Sequence, residues 1–280
     1  MKSTEQKLYG WNACISYSRA FPDKIIRAYC TESTRGRLGT LLKQLASKKK
    51  AYHIVTEAEL NKIADSEHHE GVCLLVERSE PLSEEQLISD TQQMKQRKQL
   101  ILCLDGVTNP NNLGAIARSA AHFGITHLFL CNTAESSIKG LLSGSFHRTA
   151  EGAAVHLQIY WSESGENTLL KLKQQFGWKL CSTTSHGKTV GLHEFSFPSR
   201  TVLIMGSESQ GVSAPLSKLA DTGLGIVGTG LVESLNVANA ASILMSEFYR
   251  QSLTQRTFEP VRRLSPTRVA GGVGKNRRGS

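Results

Sequence analysis

Gln99–Arg118 reads QLILCLDGVTNPNNLGAIAR. An apolar run of strand length stops at Asp105, a polar turn built on Asn109-Pro110-Asn111-Asn112 follows, and a helical pattern then carries Arg118. The same alternation recurs downstream. Apolar runs at 126–131, 155–159, 178–183, 201–206 and 222–227 are separated by helical patterns at 112–123, 139–145, 166–176 and 213–220, and a last helix spans about 235–251. Buried strands alternating with helices predict an α/β domain over 99–252 whose mostly parallel sheet is covered on both faces. In such sheets ligands bind beyond the carboxyl ends of the strands, so the loops at those ends are where chemistry is expected.

Three of these loops are unusual. The first, Asp105–Arg118, places Asn112 and Arg118 about a turn and a half apart on one helix. The second, MGSESQGVS over 205–213, runs from a strand straight into Gly206, with Glu208 ahead of a turn at Gly211. Glu208 occupies the place a serine would need in G-x-S-x-G, which excludes a nucleophile elbow. The third, GLVESLNVANAA over 230–241, opens at Gly230 and enters a helix whose start carries Ser234 and Asn236. Each has a plain structural reading. Asn112, Ser234 and Asn236 suit helix capping, Arg118 a solvated surface and Glu208 an exposed turn. Taken together they offer glycine backbone, one acid, one arginine and small hydrogen bonders, which suits a bulky cofactor and an anionic substrate.

Two decoys are set aside. Gly223, Gly225 and Gly228 match G-x-G-x-x-G but straddle a strand instead of linking strand to helix, and Gly187-Lys188-Thr189 lacks the first glycine of a phosphate loop because Ser182 stands there. No metal-ligand spacing occurs, and the six cysteines are scattered singly, as expected of reduced core thiols in a cytoplasmic protein. No run of 18 apolar residues predicts a membrane span, and MKSTEQKLYGW lacks the apolar region of a signal peptide. Of the net charge of +9, +6 lies from Arg256 onward, where seven bases face one acid; this Gly-rich stretch, 253–280, is expected to be disordered and suits a polyanion.

The first 80 residues form a small α/β unit with a basic flank. Strands are expected at 24–30, 51–55 and 71–78, with a helix over 39–48 ending in Lys48-Lys49-Lys50, a loop carrying Arg35 and Arg37, and a second helix capped by Thr56 and Glu59. Residues 81–98, with Ser83 and Gln86 as another capping box, are expected to connect the two domains.

The ordered loops resemble the SPOUT superfamily, specifically the TrmH/SpoU family of RNA ribose 2′-O-methyltransferases. NPNNLGAIARSA is similar to its DPxNxGAIxRSA, with Asn109 for Asp; Gly206, Glu208 and Gly211 match GxExxG; Ile226, Gly230, Glu233, Ser234, Leu235, Asn236 and Val237 match IPMxGxxESLNVSxA. LYGWNA (8–13) and HEGV (69–72) resemble stretches of the family's L30e-like substrate-binding domain. The resemblance implies a C-terminal domain with a deep trefoil knot, a homodimer, no metal, and S-adenosyl-L-methionine held largely by backbone at Gly206, Gly211, Ile226, Gly230 and Leu235. Structured RNA, ribosomal or transfer, is the implied substrate. Arg118 is implied as the residue that activates the ribose hydroxyl; because a guanidinium stays protonated, gripping the adjacent phosphate is the sounder role, with Asn112, Glu208, Ser234 and Asn236 positioning the groups around it. Val227-Gly228 replaces the family's Pro-Met, Ala238 its Ser, Val155 a frequent Glu and Gln158 a Pro. These departures motivate a rival expectation, an RNA-binding relative with weak or lost catalysis that acts as an assembly or binding factor. A small-molecule methyltransferase fits the basic tail and the N-terminal unit poorly.

Overall fold

Strand Gln99–Asp105 is buried along its whole length, which only a central strand covered on both faces allows. Its side chains alternate. Leu100, Leu102 and Leu104 enter one core, and Ile101 and Cys103 enter another on the opposite face of the sheet. The structure, a computed structural model, describes residues 4–94, 97–184 and 189–253. The basic tail from 254 on, Lys95 and Gln96, and Gly187-Lys188 of the discarded phosphate-loop fragment lie outside them.

The first unit runs β1 (Glu5–Tyr9), α1 (Trp11–Ala20), β2 (Ile25–Cys30), α2 (Glu32–Arg35), α3 (Gly39–Ser47), β3 (Ala51–Ile54), α4 (Glu57–Ala64) and β4 (Val72–Glu77). Its four strands are ordered β1-β4-β2-β3, with only β2 and β3 parallel. Arg35, expected in a loop, instead ends the one-turn helix α2, which is held because the buried Thr34 hydroxyl donates to the Gly71 carbonyl at 2.7 Å. The Thr56–Glu59 capping box forms in full. The lysine run is a brace: Lys48 pairs with Asp23 at 2.5 Å, and Lys50 donates to the carbonyls of Asp23 and Ile25. The two stretches that resemble the substrate-binding domain meet where the Glu70 carboxylate accepts the Trp11 N–H at 2.7 Å. Beside it His69 is buried, accepting the Gly71 N–H on Nδ1 and thereby leaving Nε2 to donate to Asn61.

The second unit continues α5 (Glu84–Gln93), β5 (Gln99–Asp105), α6 (Pro110–His122), β6 (His127–Cys131), α7 (Glu135–Leu141), α8 (Gly144–Thr149), β7 (Gln158–Ser162), α9 (Glu166–Phe176), β8 (Lys179–Thr183), β9 (Val190–Gly191), β10 (Arg200–Gly206), α10 (Ala214–Leu219), β11 (Thr222–Gly225) and α11 (Val237–Ser252). The strand order is β7-β6-β5-β10-β8-β11-β9, and every neighbouring pair is parallel. Helices α6 and α11 pack on one face; α5, α9 and α10 contribute Leu87, Leu169, Leu172 and Leu216 to the other.

Four expectations need correction. The strand expected at 155–159 lies at 158–162, because Ala153–His156 form a 3-10 turn after Gly152, whose φ is +83°. The helix expected at 139–145 is two helices, broken where Gly144 meets the Tyr9 ring; a Cβ there would lie 2.3 Å from it. Residues 81–98 are no bare connector: Leu82 exchanges backbone hydrogen bonds with β7, and Leu87 is fully buried. Ser83 caps α5, but Gln86 turns to Asp90, so the box is half formed. The two units also touch directly, through Tyr9 Oη to Ser145 Oγ at 3.0 Å and Gln6 Nε2 to the Leu142 carbonyl at 2.5 Å.

All six cysteines are free and buried. The Cys103 thiol is pushed well up by the Cys131 sulfur, 3.5 Å away, and by burial, so it stays protonated and inert. Among the described residues no helix is long and apolar enough to cross a membrane.

Helix α11 is locked at its far end by Glu247, which accepts two 2.7 Å hydrogen bonds from Arg250 and one of 2.9 Å from Gln251. Gln251 in turn holds the backbone of Phe195 and Phe197. The Arg250 and Gln251 hydrogen bonds pull the Glu247 carboxyl down to about 2. A depressed carboxyl contributes stability that is complete above the ordinary glutamate range and lost as pH falls toward 2. Glu247→Gln should therefore cost roughly 1–2 kcal/mol at pH 7, with the gap to wild type closing between about pH 5 and pH 2. Urea melts at pH 7, 4 and 3 check this; a gap independent of pH contradicts it.

Candidate active site

Parallel strands β5, β6 and β10 end side by side, and a buried carboxylate ties their loops together. Asp105, at the end of β5, is 3% exposed. Its Oδ1 accepts from Asn132 Nδ2 at 2.6 Å, just past β6, and its Oδ2 accepts the backbone N–H of Ser213 at 2.7 Å, just ahead of α10. A carboxylate so placed ties the two neighbouring loops to β5 in a water-poor setting. The sequence marked Asp105 only as a strand end. The available signal was a lone acid closing an otherwise apolar buried strand.

The β10 loop is shaped by contact between two glycines. Gly211, at φ +64°, returns its N–H to the Ser207 carbonyl at 2.9 Å. Its carbonyl carbon lies so near Gly206 that a Cβ on Gly206 would sit 1.8 Å from it. Only glycine fits there, and the tight turn presents Glu208 at the carboxyl end of the sheet.

Helix α6 is capped by Asn109, not Asn112. Asn109 Oδ1 accepts the N–H groups of Asn111 and Asn112 at 2.9 and 3.3 Å. The substitution of Asn for the family's Asp therefore preserves the cap, and the Asn112 side chain is released to reach outward. Asn236 caps α11, taking the N–H groups of Ala238 and Asn239 on Oδ1. That fixes its amide orientation, so Nδ2 must point the other way.

The three loops meet on these side chains. Asn112 Nδ2 donates to Glu208 Oε1 at 3.3 Å, Asn236 Nδ2 donates to Asn112 Oδ1 at 3.2 Å, and Asn236 Nδ2 also donates to Glu208 Oε1. Ser234 is exposed and makes no hydrogen bond to this group among the described residues. Arg118, six residues beyond Asn112 on α6, is exposed and has no hydrogen-bond or ion-pair partner among the described residues. It lies about 120° around the helix from Asn112.

Of the other candidates, Ile226 packs partly against the core, and Leu235 is 43% exposed. Gly230 has φ +80°, and a Cβ on Gly211, Gly228 or Gly230 would meet nothing within 4 Å, so backbone there is open to an incoming group. Val227, Leu231 and Val232 are more than two-thirds exposed, an unusual density of apolar side chains on one loop. Among the described residues no cluster of His, Cys, Asp and Glu could hold a metal ion.

Residues 99–246 match the model of the SpoU rRNA methylase family, and residues 7–82 match the model for RNA 2′-O ribose methyltransferase substrate binding. The chain is 34% identical over 252 residues to the uncharacterized tRNA/rRNA methyltransferase YfiF of Escherichia coli O157:H7, covering 90% of this chain and 70% of that one. It is 28% identical to the 23S rRNA (guanosine-2′-O-)-methyltransferase RlmB of Pasteurella multocida, covering 89% and 99%. The fold is similar to that of the SpoU methyltransferase AviRb of Streptomyces viridochromogenes solved with AdoMet, at a TM-score of 0.70 and 21% identity over 90% of this chain and 92% of that one. With a family model matched over more than half its length, the chain belongs to the SpoU rRNA methylase family.

Proposed function

We propose that this protein transfers the methyl group of S-adenosylmethionine to a ribose 2′-hydroxyl of structured RNA, ribosomal or transfer, in the cytoplasm. The observation that carries this is the meeting of Asn112, Glu208 and Asn236, one from each of three loops, at the carboxyl end of a parallel sheet. Relatives named as RNA methyltransferases support the reaction class.

The residues around this end fit the cofactor. Open backbone at Gly211, Gly228 and Gly230 and the exposed apolar side chains of Val227, Leu231 and Leu235 supply what an adenine ring requires, apolar cover with a few backbone hydrogen bonds. Gly206, Gly211, Ile226, Gly230 and Leu235 would hold it. When bound, S-adenosylmethionine supplies an electrophilic methyl on a sulfonium centre. Arg118 grips the phosphate beside the target ribose with its planar fork and so aligns the hydroxyl, whose proton leaves toward that phosphate. Its exposure and lack of a protein partner among the described residues leave it available for this. Glu208 holds the two asparagine amides, and these fix the starts of α6 and α11 around the reacting groups. Ser234, outside that hydrogen-bonded group, faces the RNA side.

The proposal also includes a deep trefoil knot, formed as the segment between β11 and α11 threads back toward α6. The first unit is the L30e-like RNA-binding domain over 1–80, joined through 81–98. A homodimer is supported by the exposed Ile243 and Tyr249 on α11 and Leu253 just past its end.

Two outcomes are expected. Arg118→Lys keeps the charge and loses the fork, so single-turnover methyl transfer should fall about ten-fold or more while cofactor affinity stays unchanged; near-normal transfer contradicts the assigned role. In calorimetric titration wild type should bind S-adenosylmethionine, and Gly206→Ala, whose Cβ displaces Gly211, should abolish that heat. Wild type that binds none at millimolar cofactor favours an RNA-binding relative without catalysis.

A further inference from the structure

A cavity also lies away from this site. It is an open groove of about 670 Å³ on the first unit, between α3 and the edge strand β3. All four residues of β3 are exposed, which is unusual for a strand, and Tyr52 on it stands 41% exposed against the groove. Across from the ring are Lys43 on α3 and Arg35 at the end of α2. Lys43 is exposed with no ion-pair or hydrogen-bond partner among the described residues. Arg35 is held at 3.1 Å by Glu32, but that pair is solvated, at 55% and 72% side-chain exposure, and engages only one guanidinium nitrogen. Gly36 and Gly39 leave the wall between them bare: a Cβ on either would meet nothing within 4 Å. The buried Leu42 supplies an apolar floor.

An exposed aromatic face, two cations and open backbone around an apolar floor are the components with which proteins hold single nucleotides. The base stacks, the phosphate is neutralised, and the backbone can approach closely. The lysines next to the groove do not serve this purpose, since Lys48 and Lys50 are spent on Asp23 and the 23–25 backbone. Among the residues lining the groove, Lys43 and Arg35 carry the positive charge and Glu32, paired with Arg35, the negative one.

We propose that this groove receives an unpaired nucleotide of the RNA substrate, its base on the Tyr52 ring and its phosphate between Lys43 and Arg35. The proposal rests on the reading that the protein acts on RNA, and it names where unpaired structure in that RNA is sensed. A flipped or looped nucleotide is recognised; a continuous duplex, whose bases are stacked on one another, is not.

The test measures RNA binding by fluorescence anisotropy without cofactor, using a labelled hairpin with an unpaired loop and a blunt duplex of equal length. Tyr52→Ala should weaken hairpin binding roughly 5- to 100-fold and leave duplex binding within about two-fold, while Tyr52→Phe retains wild-type affinity. Lys43→Gln should lower the salt dependence of hairpin binding by about one unit of slope. Equal hairpin affinity of wild type and Tyr52→Ala, an equal loss on hairpin and duplex, or no RNA binding by wild type overturns the proposal. Because Tyr52 is exposed, its variants should melt with wild type, which separates binding from folding. A protein that binds through Tyr52 yet transfers no methyl leaves this inference standing and removes the proposed reaction, so the two failures are distinguishable.

Discussion

A carboxylate can accept several hydrogen bonds at once, and Glu208 uses that capacity to hold together loops that the chain separates widely. Its partners Asn112 and Asn236 lie 124 positions apart. Each amide is oriented from elsewhere: Asn236 by capping α11, Asn112 by the helix that Asn109 caps. Below them Asp105 performs the same service for β5, β6 and the start of α10, with a partner 108 positions away. The two acids form successive layers, one buried and one facing solvent. The parallel sheet makes both possible, since β10 is inserted between β5 and β8 and brings the end of a late strand beside the end of the first.

This arrangement explains why the helix starts matter more than their exposure suggests. Exposed hydrogen bonds contribute little stability individually, so the loops are not held rigid by the Glu208 group alone. The rigid part is beneath: continuous apolar strands with cores on both faces, and the close glycine contact at Gly206 and Gly211. The apolar loop from Val227 to Leu235 is the opposite case, with side chains that find little cover within the chain. A loop of that kind gains order when something apolar settles on it.

Much of the larger sheet was legible because buried parallel strands are written as unbroken apolar runs. QLILCLD, HLFLC and TVLIMG each give a strand within a residue of the expected bounds. The failures have local causes. The two-residue strand β9 carries no periodicity, and β1 with α1 went unread, since a five-residue strand leaves little pattern. The break between α7 and α8 is imposed by Tyr9 from the other unit, which no local pattern could reveal. At the site, motif order put the loops of Asn112, Glu208 and Asn236 in one place but gave no sign that their side chains bond one another, and the clamp at Asp105 depends on a backbone N–H supplied from Ser213. The caps were half read: Asn236 caps its helix as its position suggested, but at α6 the cap is Asn109 and not Asn112.

The proposed chemistry requires the three loops to act as one site for methylating a ribose hydroxyl of RNA. The most direct measurement is a transcriptome-wide map of 2′-O-methylation in ribosomal and transfer RNA from cells with the gene, without it, and complemented by Asn112→Ala. At least one methylated ribose present with the gene should disappear without it and stay absent in the strain carrying Asn112→Ala. Identical maps in all three strains would contradict it.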